Sequence, residues 1–274
     1  MPATILKHHR LLGVAISQGR HSVDDSTVVA SAVAERAVVL VSNPAIELTG
    51  WTSIARVSRT YDCTDPAQRT RGIAAAVRAV KRGKLVVLPT DTVYGVGCDA
   101  FNESAVNMLL AAKGRGPDMP VPVLVSSPGM LAGISAQSGG LVKQLTEAFW
   151  PGGLTVVCAQ QPTLKWNLGN TSGTVAVRMP LHPVAIELIR ETGPMGVSSA
   201  NRTGNPPARS GAEAREQLGD AVAVYLDSFP TEDDTPSTIV DVTGEVPTVL
   251  REGAITVDEL REVVPETVAP AVAS

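Results

Sequence analysis

Residues 85–125 read LVVLPTDTVYGVGCDAFNESAVNMLLAAKGRGPDMPVPVLV. Leu85 to Leu88 is a short apolar run halted by Pro89, the pattern of a buried strand, and Ala105, Met108, Leu109 and Ala112 recur at the spacing of a helix over 102–112. A second apolar run closes the stretch, so the order is strand, polar loop, helix, loop, strand. That alternation belongs to the α/β class. Ligands of open α/β sheets collect at the carboxyl ends of strands, and Thr90, Asp91, Thr92, Tyr94, Gly95 and Gly97 fall just past one. Lys113 and Arg115 stand at the end of the helix, where a mobile ammonium and a planar guanidinium both suit anionic oxygens. Phosphate chemistry is the first reading; ordinary solvated helix-end charges are the plain alternative.

Composition sets the outer limits. With 44% hydrophobic and 18% charged residues in 274, there is enough apolar material for a core, but only 3% is aromatic. The core is therefore packed from Val, Leu, Ile and Ala, and Val-rich runs such as 174–177 and 222–226 suit strands buried on both faces. A net charge of −4 provides no overall basic field for a nucleic acid. Cys63, Cys98 and Cys158 are too far apart for a CxxC pair or a zinc spacing, and read as buried thiols of a reducing cytosol. No apolar run reaches the roughly 18 residues that a membrane span needs, so a cytoplasmic location is expected.

The remaining punctuation is local. Asp65-Pro66-Ala67-Gln68 opens a helix that stops at Gly83; further helices are expected over 141–149, 182–191, 212–218 and, behind a Thr256 to Glu259 capping box, 257–263. Strands are expected over 154–159, 174–178, 195–199, 221–226, 238–242 and 248–250. Three domains of unequal weight follow: an extension over 1–60, a globular part over 61–264 and a flexible Pro/Ala-rich tail over 265–274. The extension has two readings, a loosely attached terminus or a start codon misplaced upstream of Val57; peptides from residues 1–50 in the native protein would exclude the second.

Gly95-Val96-Gly97-Cys98-Asp99-Ala100 matches G-x-G-x-x-A, but five residues separate the strand from the first glycine and no acid follows a second strand, so a dinucleotide fold is disfavoured. No G-x-x-x-x-G-K-[ST] is present. Gly196 to Ala200 lacks the closing glycine of a nucleophile elbow, and His182, which reads as a helix-start residue, lies upstream of it. Arg178 closes a valine-rich strand where an unpaired cation is costly, so a fixed anionic partner is expected. Arg251 carries the same argument more weakly, with Glu252 and Asp241 as structural partners at hand.

Six blocks in order resemble the YrdC-like family of threonylcarbamoyl-adenylate synthases. They are Pro89 to Gly97 with Lys113 to Pro120, Phe149 to Thr155, Val177 to Pro180, Ser198 to Asn201, Ser237 to Asp241, and Leu250 to Gly253. The resemblance covers 68–254 and departs from the pattern at Gly116, Val121 and Gly153. It implies a twisted open mixed β-sheet flanked by helices, with a concave ligand cavity. It also implies an enzyme of the nucleotidyltransferase type, making L-threonylcarbamoyladenylate and pyrophosphate from ATP, L-threonine and bicarbonate or CO₂, with Mg²⁺ accompanying ATP. The product would pass to a transferase complex that modifies tRNA, without tight tRNA binding by this chain. Lys113 and Arg115 are the implied catalytic residues. The same pair with Thr174, Ser198, Asn201 and Arg251 would hold ATP, and Thr90, Thr92, Arg178 and Ser237 the threonine and carbamate. No protein metal ligands are implied. Lys113→Ala is expected to remove turnover and leave melting nearly unchanged. Two rivals remain: a double-stranded RNA or tRNA-binding module without turnover, and a carbamoyl-adenylate-forming domain, which usually sits in a much larger chain.

Overall fold

A computed structural model describes residues 58–232 and 234–270. The expectations for the extension before Ser58, including the start near Val57, lie outside the described residues. Strand pairing begins at Arg59, two residues ahead of the expected globular part, and Val268 in the expected tail bridges Thr248.

Among the described residues ten strands form one mixed sheet. They are β1 (Arg59–Asp62), β2 (Leu85–Leu88), β3 (Gly95–Asp99), β4 (Val123–Leu124), β5 (Leu154–Ala159), β6 (Thr174–Arg178), β7 (Met195–Ser199), β8 (Val222–Asp227), β9 (Thr238–Asp241) and β10 (Thr248–Arg251), in the spatial order β1-β8-β2-β3-β7-β4-β6-β5-β9-β10. The helices are α1 (Pro66–Lys81), α2 (Glu103–Lys113), α3 (Pro128–Ile134), α4 (Gly140–Phe149), α5 (Pro183–Thr192), α6 (Gly211–Leu218) and α7 (Val257–Val263). The caps behave as their residues dictate. Asp65 accepts from the Gln68 N–H ahead of α1, Asn102 from Ala105 ahead of α2, and Thr256 closes its box with Glu259. His182 is the N-cap of α5, its ring accepting from the Val184 N–H at 3.3 Å.

The expected polar loop after β2 is instead half strand. Gly95 to Asp99 forms β3, antiparallel to both β2 and β7. Glycine is a poor strand former and conceals this from sequence. The reason for it lies across the sheet, since a Cβ at Gly95 would stand 2.6 Å from one Val197 methyl and a Cβ at Gly97 2.9 Å from the other. The two glycines make room for a branched neighbour rather than for a dinucleotide. α3 and β1 are also additions to the sequence reading.

Two apolar clusters lie on opposite faces of the sheet, as the alternation of a strand requires. Val87, Val96, Val123, Val156, Val177 and Val240 face one, which α2, α4, α6 and α7 cover. Val86, Leu88, Val197, Val224 and Leu226 face the other, beneath α1 and α5. That second face carries a line of paired residues across the far strands. Leu124 pairs with Arg178, Arg178 with Thr155, Thr155 with Ile239, and Ile239 with Arg251. Side chains in register share a face, so β4, β6, β5, β9 and β10 present one row: apolar, cation, hydroxyl, apolar, cation. The last member depends on an irregularity. Thr248 pairs with Asp241 and Val249 with Val240, but the register shifts before Arg251, leaving Leu250 out and 54% exposed. Bulges commonly re-aim a side chain in this way.

Candidate functional site

The row forms the floor of a cavity of ≈320 Å³. Thr90, Thr92, Arg115, Ser198, Ser199 and Ser237 complete its polar lining, and Val93, Pro120, Pro122, Val197, Pro207 and Pro236 supply apolar surface. The ligand space thus lies across the sheet face near the ends of several strands: Thr90 and Thr92 follow β2, Ser198 and Ser199 close β7, and Leu124, Arg178 and Arg251 are the last residues of β4, β6 and β10.

The threonine loop is folded on itself. Thr90 Oγ1 donates to the Val93 carbonyl at 2.6 Å and accepts from the Thr92 N–H at 3.2 Å. Arg178 fastens it to the sheet. Nη1 donates to Thr92 Oγ1 at 2.7 Å, Nη2 to Asp91 Oδ1 at 2.7 Å, and Nε to the Gly152 carbonyl at 2.9 Å. The fixed anionic partner expected for Arg178 is therefore Asp91, which also accepts from the Leu181 N–H. Burial pushes the guanidinium pKa down, and the Asp91 carboxylate works against it. Three of five N–H groups are committed, which leaves one on each Nη for a ligand.

Gly114, at φ 67°, ends α2 and turns its two neighbouring cations apart. Arg115 enters the cavity wall, donating from Nη1 to Ser198 Oγ and from Nε to Thr203 Oγ1, both at 3.2 Å. Lys113 goes the other way and is 1% exposed. Its Nζ donates to the Ser199 carbonyl at 2.5 Å, the Asn201 carbonyl at 2.7 Å and Asn201 Oδ1 at 3.2 Å. Burial drives its pKa down to about 7, with the Arg115 charge adding to the effect. Arg251 donates from Nη2 to the Ser237 carbonyl at 2.6 Å. Its pKa too is lowered, first by burial and then by the charges of Arg178 and Arg115. Among the described residues neither Arg115 nor Arg251 has a carboxylate partner. Glu252 accepts from Val257 N and Asp241 caps Thr243, so the expected structural pairing of Arg251 is not made. The overlapping fields of Arg115 and Arg251, with that of Arg178 partly offset by Asp91, favour negative charge in the cavity.

The structure divides the sequence-predicted residues. Thr90, Thr92, Arg115, Arg178, Ser198, Ser237 and Arg251 meet at the cavity. Lys113 and Asn201 lie behind its wall. The Asn201 amide is fully engaged, Nδ2 donating to the Arg202 and Asn205 carbonyls at 3.0 and 2.7 Å, so it has no free donor for phosphate. Thr174 is at the other end of β6, four residues or roughly 13 Å from Arg178, its hydroxyl donating to the Thr171 carbonyl. The reading missed Thr155, whose hydroxyl is 2.8 Å from Ser237 Oγ, and Ile239, Ser199 and the role of Asp91. Thr155 and Ile239 sit inside motif blocks, but only strand register tells which of their residues face the ligand. A second cavity of ≈590 Å³, lined by Asp91, His182, Phe229 and Glu232 among others, shares Thr90 and Thr92 with the first.

Lys113 also revises an expectation about stability. Lys113→Ala leaves several buried acceptors unpaired and a void, so a loss of about 2 kcal/mol or more replaces the unchanged melting expected from sequence. Asp91→Ala leaves the buried Arg178 guanidinium without its carboxylate and costs about 1.5–3 kcal/mol. Urea denaturation of both variants checks these values; wild-type midpoints would show that neither contact is structural.

The family model for Sua5, YciO and YrdC, described as "Telomere recombination", matches residues 78–253. A Mycobacterium tuberculosis protein named "Putative threonylcarbamoyl-AMP synthase" is 56% identical over 207 residues, 76% of this chain and 95% of the relative. The threonylcarbamoyl-AMP synthase of Bacillus subtilis is 34% identical over 194 residues, 70% of this chain and 56% of that protein. Among solved structures, Pyrococcus abyssi Sua5 complexed with L-threonine superposes with a TM-score of 0.72 at 30% identity, over 78% of this chain and 62% of that one. Escherichia coli YciO shares the fold, with a TM-score of 0.65 at 24% identity over 74% of this chain and 97% of the other. With motifs, sheet and cavity in agreement with these likenesses, the chain belongs to the Sua5/YciO/YrdC family.

Proposed function

We propose that the protein is an L-threonylcarbamoyladenylate synthase, joining ATP, L-threonine and bicarbonate or CO₂ into L-threonylcarbamoyladenylate and pyrophosphate. The observation that carries the reading is the convergence of Arg115, Arg178 and Arg251 with six hydroxyl side chains on one cavity. The names of the bacterial relatives and the threonine-bound structure support the substrate class.

The chemistry asks for alignment and charge neutralisation. The threonine amine first takes up CO₂; a carbamate oxygen then attacks the α-phosphorus, forming the new O–P bond as the bond to pyrophosphate breaks. Negative charge accumulates on phosphoryl oxygens, where preorganised cations stabilise it without reorganisation. Arg115 and Arg251, the two guanidinium groups without carboxylate partners, take the phosphates, with Ser198 as a hydroxyl donor. Arg178 presents its remaining Nη hydrogens to the threonine carboxylate as a two-point clamp, beside Thr92 and Ser237. No side chain need become covalently attached, consistent with a cavity lined by hydroxyls and guanidinium groups.

Mg²⁺ enters with ATP. Among the described residues no three His, Cys, Asp or Glu side chains gather as metal ligands, and Asp91 is committed to Arg178. The ion would be held mainly by phosphate oxygens and water. The product serves N6-threonylcarbamoyladenosine formation in tRNA through a downstream transferase, and the protein works in the cytoplasm. Among the described residues no helix is long and apolar enough to cross a membrane.

Pyrophosphate release by the full chain is expected to require ATP, L-threonine and bicarbonate together. Arg251→Ala and Arg115→Ala each lower kcat/KM by about 10²-fold. A folded protein that releases no pyrophosphate under any combination would contradict the synthase reading.

A further inference from the structure

Two hydroxyls stand side by side at the middle of the row. Thr155 is in register with Arg178 on one side and with Ile239 on the other, and its Oγ1 lies 2.8 Å from Ser237 Oγ. Both residues are buried, at 3% and 9% exposure, and both line the cavity. Backbone on both flanks fixes Ser237. The Thr238 N–H that follows it donates to the Gly153 carbonyl at 2.9 Å, and Thr238 Oγ1 accepts from the N–H groups of Gly253 and Ile255, both at 2.9 Å. On the other flank the Ala254 N–H donates to the Pro236 carbonyl, also at 2.9 Å. The pair is therefore held in place by its surroundings and not by its own mutual contact.

The pair is one acceptor short. Each hydroxyl has one hydrogen to donate and two lone pairs. Ser237 Oγ accepts from Arg251 Nη2 at 3.3 Å, and one of the two hydroxyls donates to the other. If Thr155 donates, Ser237 keeps its hydrogen; if Ser237 donates, Thr155 does. In either case one hydrogen has no acceptor among the described residues, on a buried pair that faces the cavity. Buried donors find partners, so a ligand oxygen, or water before the ligand arrives, completes it.

We infer that Thr155 is a carbamate-binding residue that acts as one unit with Ser237; the inference rests on the synthase reading above. The carbamate nitrogen is attached to the threonine Cα beside the carboxylate, and one carbamate oxygen becomes bonded to the α-phosphorus, so the carbamate spans the space between those two groups. Arg178, which takes the carboxylate, and Arg251, which takes phosphate, lie on opposite sides of Thr155 in the row. The free hydrogen donates to one carbamate oxygen and leaves the other turned toward the α-phosphorus, where the O–P bond forms as the bond to pyrophosphate breaks. The hydroxyl transfers no proton and stays neutral throughout. The arrangement is also redundant: removing either hydroxyl frees the hydrogen of the other, and only removal of both leaves the carbamate without a donor.

The test is steady-state pyrophosphate release by the full chain, with bicarbonate varied at saturating ATP and L-threonine. Thr155→Val and Ser237→Ala are each expected to lower kcat/KM for bicarbonate by about threefold, and the double variant by about thirtyfold or more, the loss of a hydrogen bond to an anion. The excess over the product of the two single effects is the coupling that marks a shared donor. Thr155→Ser in the Ser237→Ala background is expected to restore the activity of Ser237→Ala alone. L-threonine binding without bicarbonate, followed by calorimetry, is expected to shift by less than about twofold when Thr155→Val is introduced in either background. A double variant no worse than the product of the singles, or a penalty that falls instead on the KM for ATP or on threonine binding, would overturn the inference and leave Thr155 a core residue. A wild type that releases no pyrophosphate would overturn the synthase reading, and this inference with it.

Discussion

The ion pair that the buried Arg178 makes with Asp91 at the protein surface is the constraint around which the site is organised. Arg178 belongs to β6, deep in one half of the sheet; Asp91 belongs to the loop after β2, on the other side of β3, β7 and β4. A loop of hydroxyl-bearing residues has little apolar surface of its own to hold it in place. The guanidinium does so instead, engaging the Asp91 carboxylate, the Thr92 hydroxyl and the Gly152 carbonyl together. Such a cation is costly to bury and more costly to leave unpaired, so its retention is better explained by geometry than by stability. It fixes where the threonine hydroxyls stand relative to the row on the sheet, and it keeps a cation at the centre of the cavity with donors to spare.

The rest of the site is register. Leu124, Arg178, Thr155, Ile239 and Arg251 come from five segments spread over more than a hundred residues, and pairing alone brings them into line. The bulge at Leu250 is the economical element of this arrangement: one unpaired residue exchanges an aliphatic side chain for a guanidinium at the row's end. Gly95 and Gly97 play a complementary part by accommodating the methyls of Val197, itself on the cavity wall. Helices α1 and α5 cover this face over the first half of the sheet and leave the second half open, which is why a cavity exists there.

Much of this was legible in the residues. Valine-rich runs marked strands such as Thr174–Arg178, and the Thr256–Glu259 box marked the start of α7, because period and capping are local properties. β3 was hidden because its glycines serve a partner about a hundred residues away. Gly114 separates Lys113 from Arg115, yet nothing local told which of the two would turn inward; that depends on carbonyls of the Ser199 to Asn201 turn. The same limit explains Asn201, which stands in a motif block, and Thr174, three residues ahead of one: the polar groups of both are spent on neighbouring backbone. Motifs report which segments build a site, and register decides which of their side chains face the ligand.

The central claim is that the row across β4 to β10, closed by the threonine loop, is where the reactants lie. A crystal structure of the protein with a non-hydrolysable ATP analogue and L-threonine tests it most directly. The account predicts phosphate oxygens between Arg115 and Arg251 and the threonine carboxylate on the free Nη hydrogens of Arg178, with Asp91 still in place. Ligand density confined to the ≈590 Å³ cavity beyond Thr90 and Thr92, or a carboxylate that displaces Asp91 from Arg178, would contradict it.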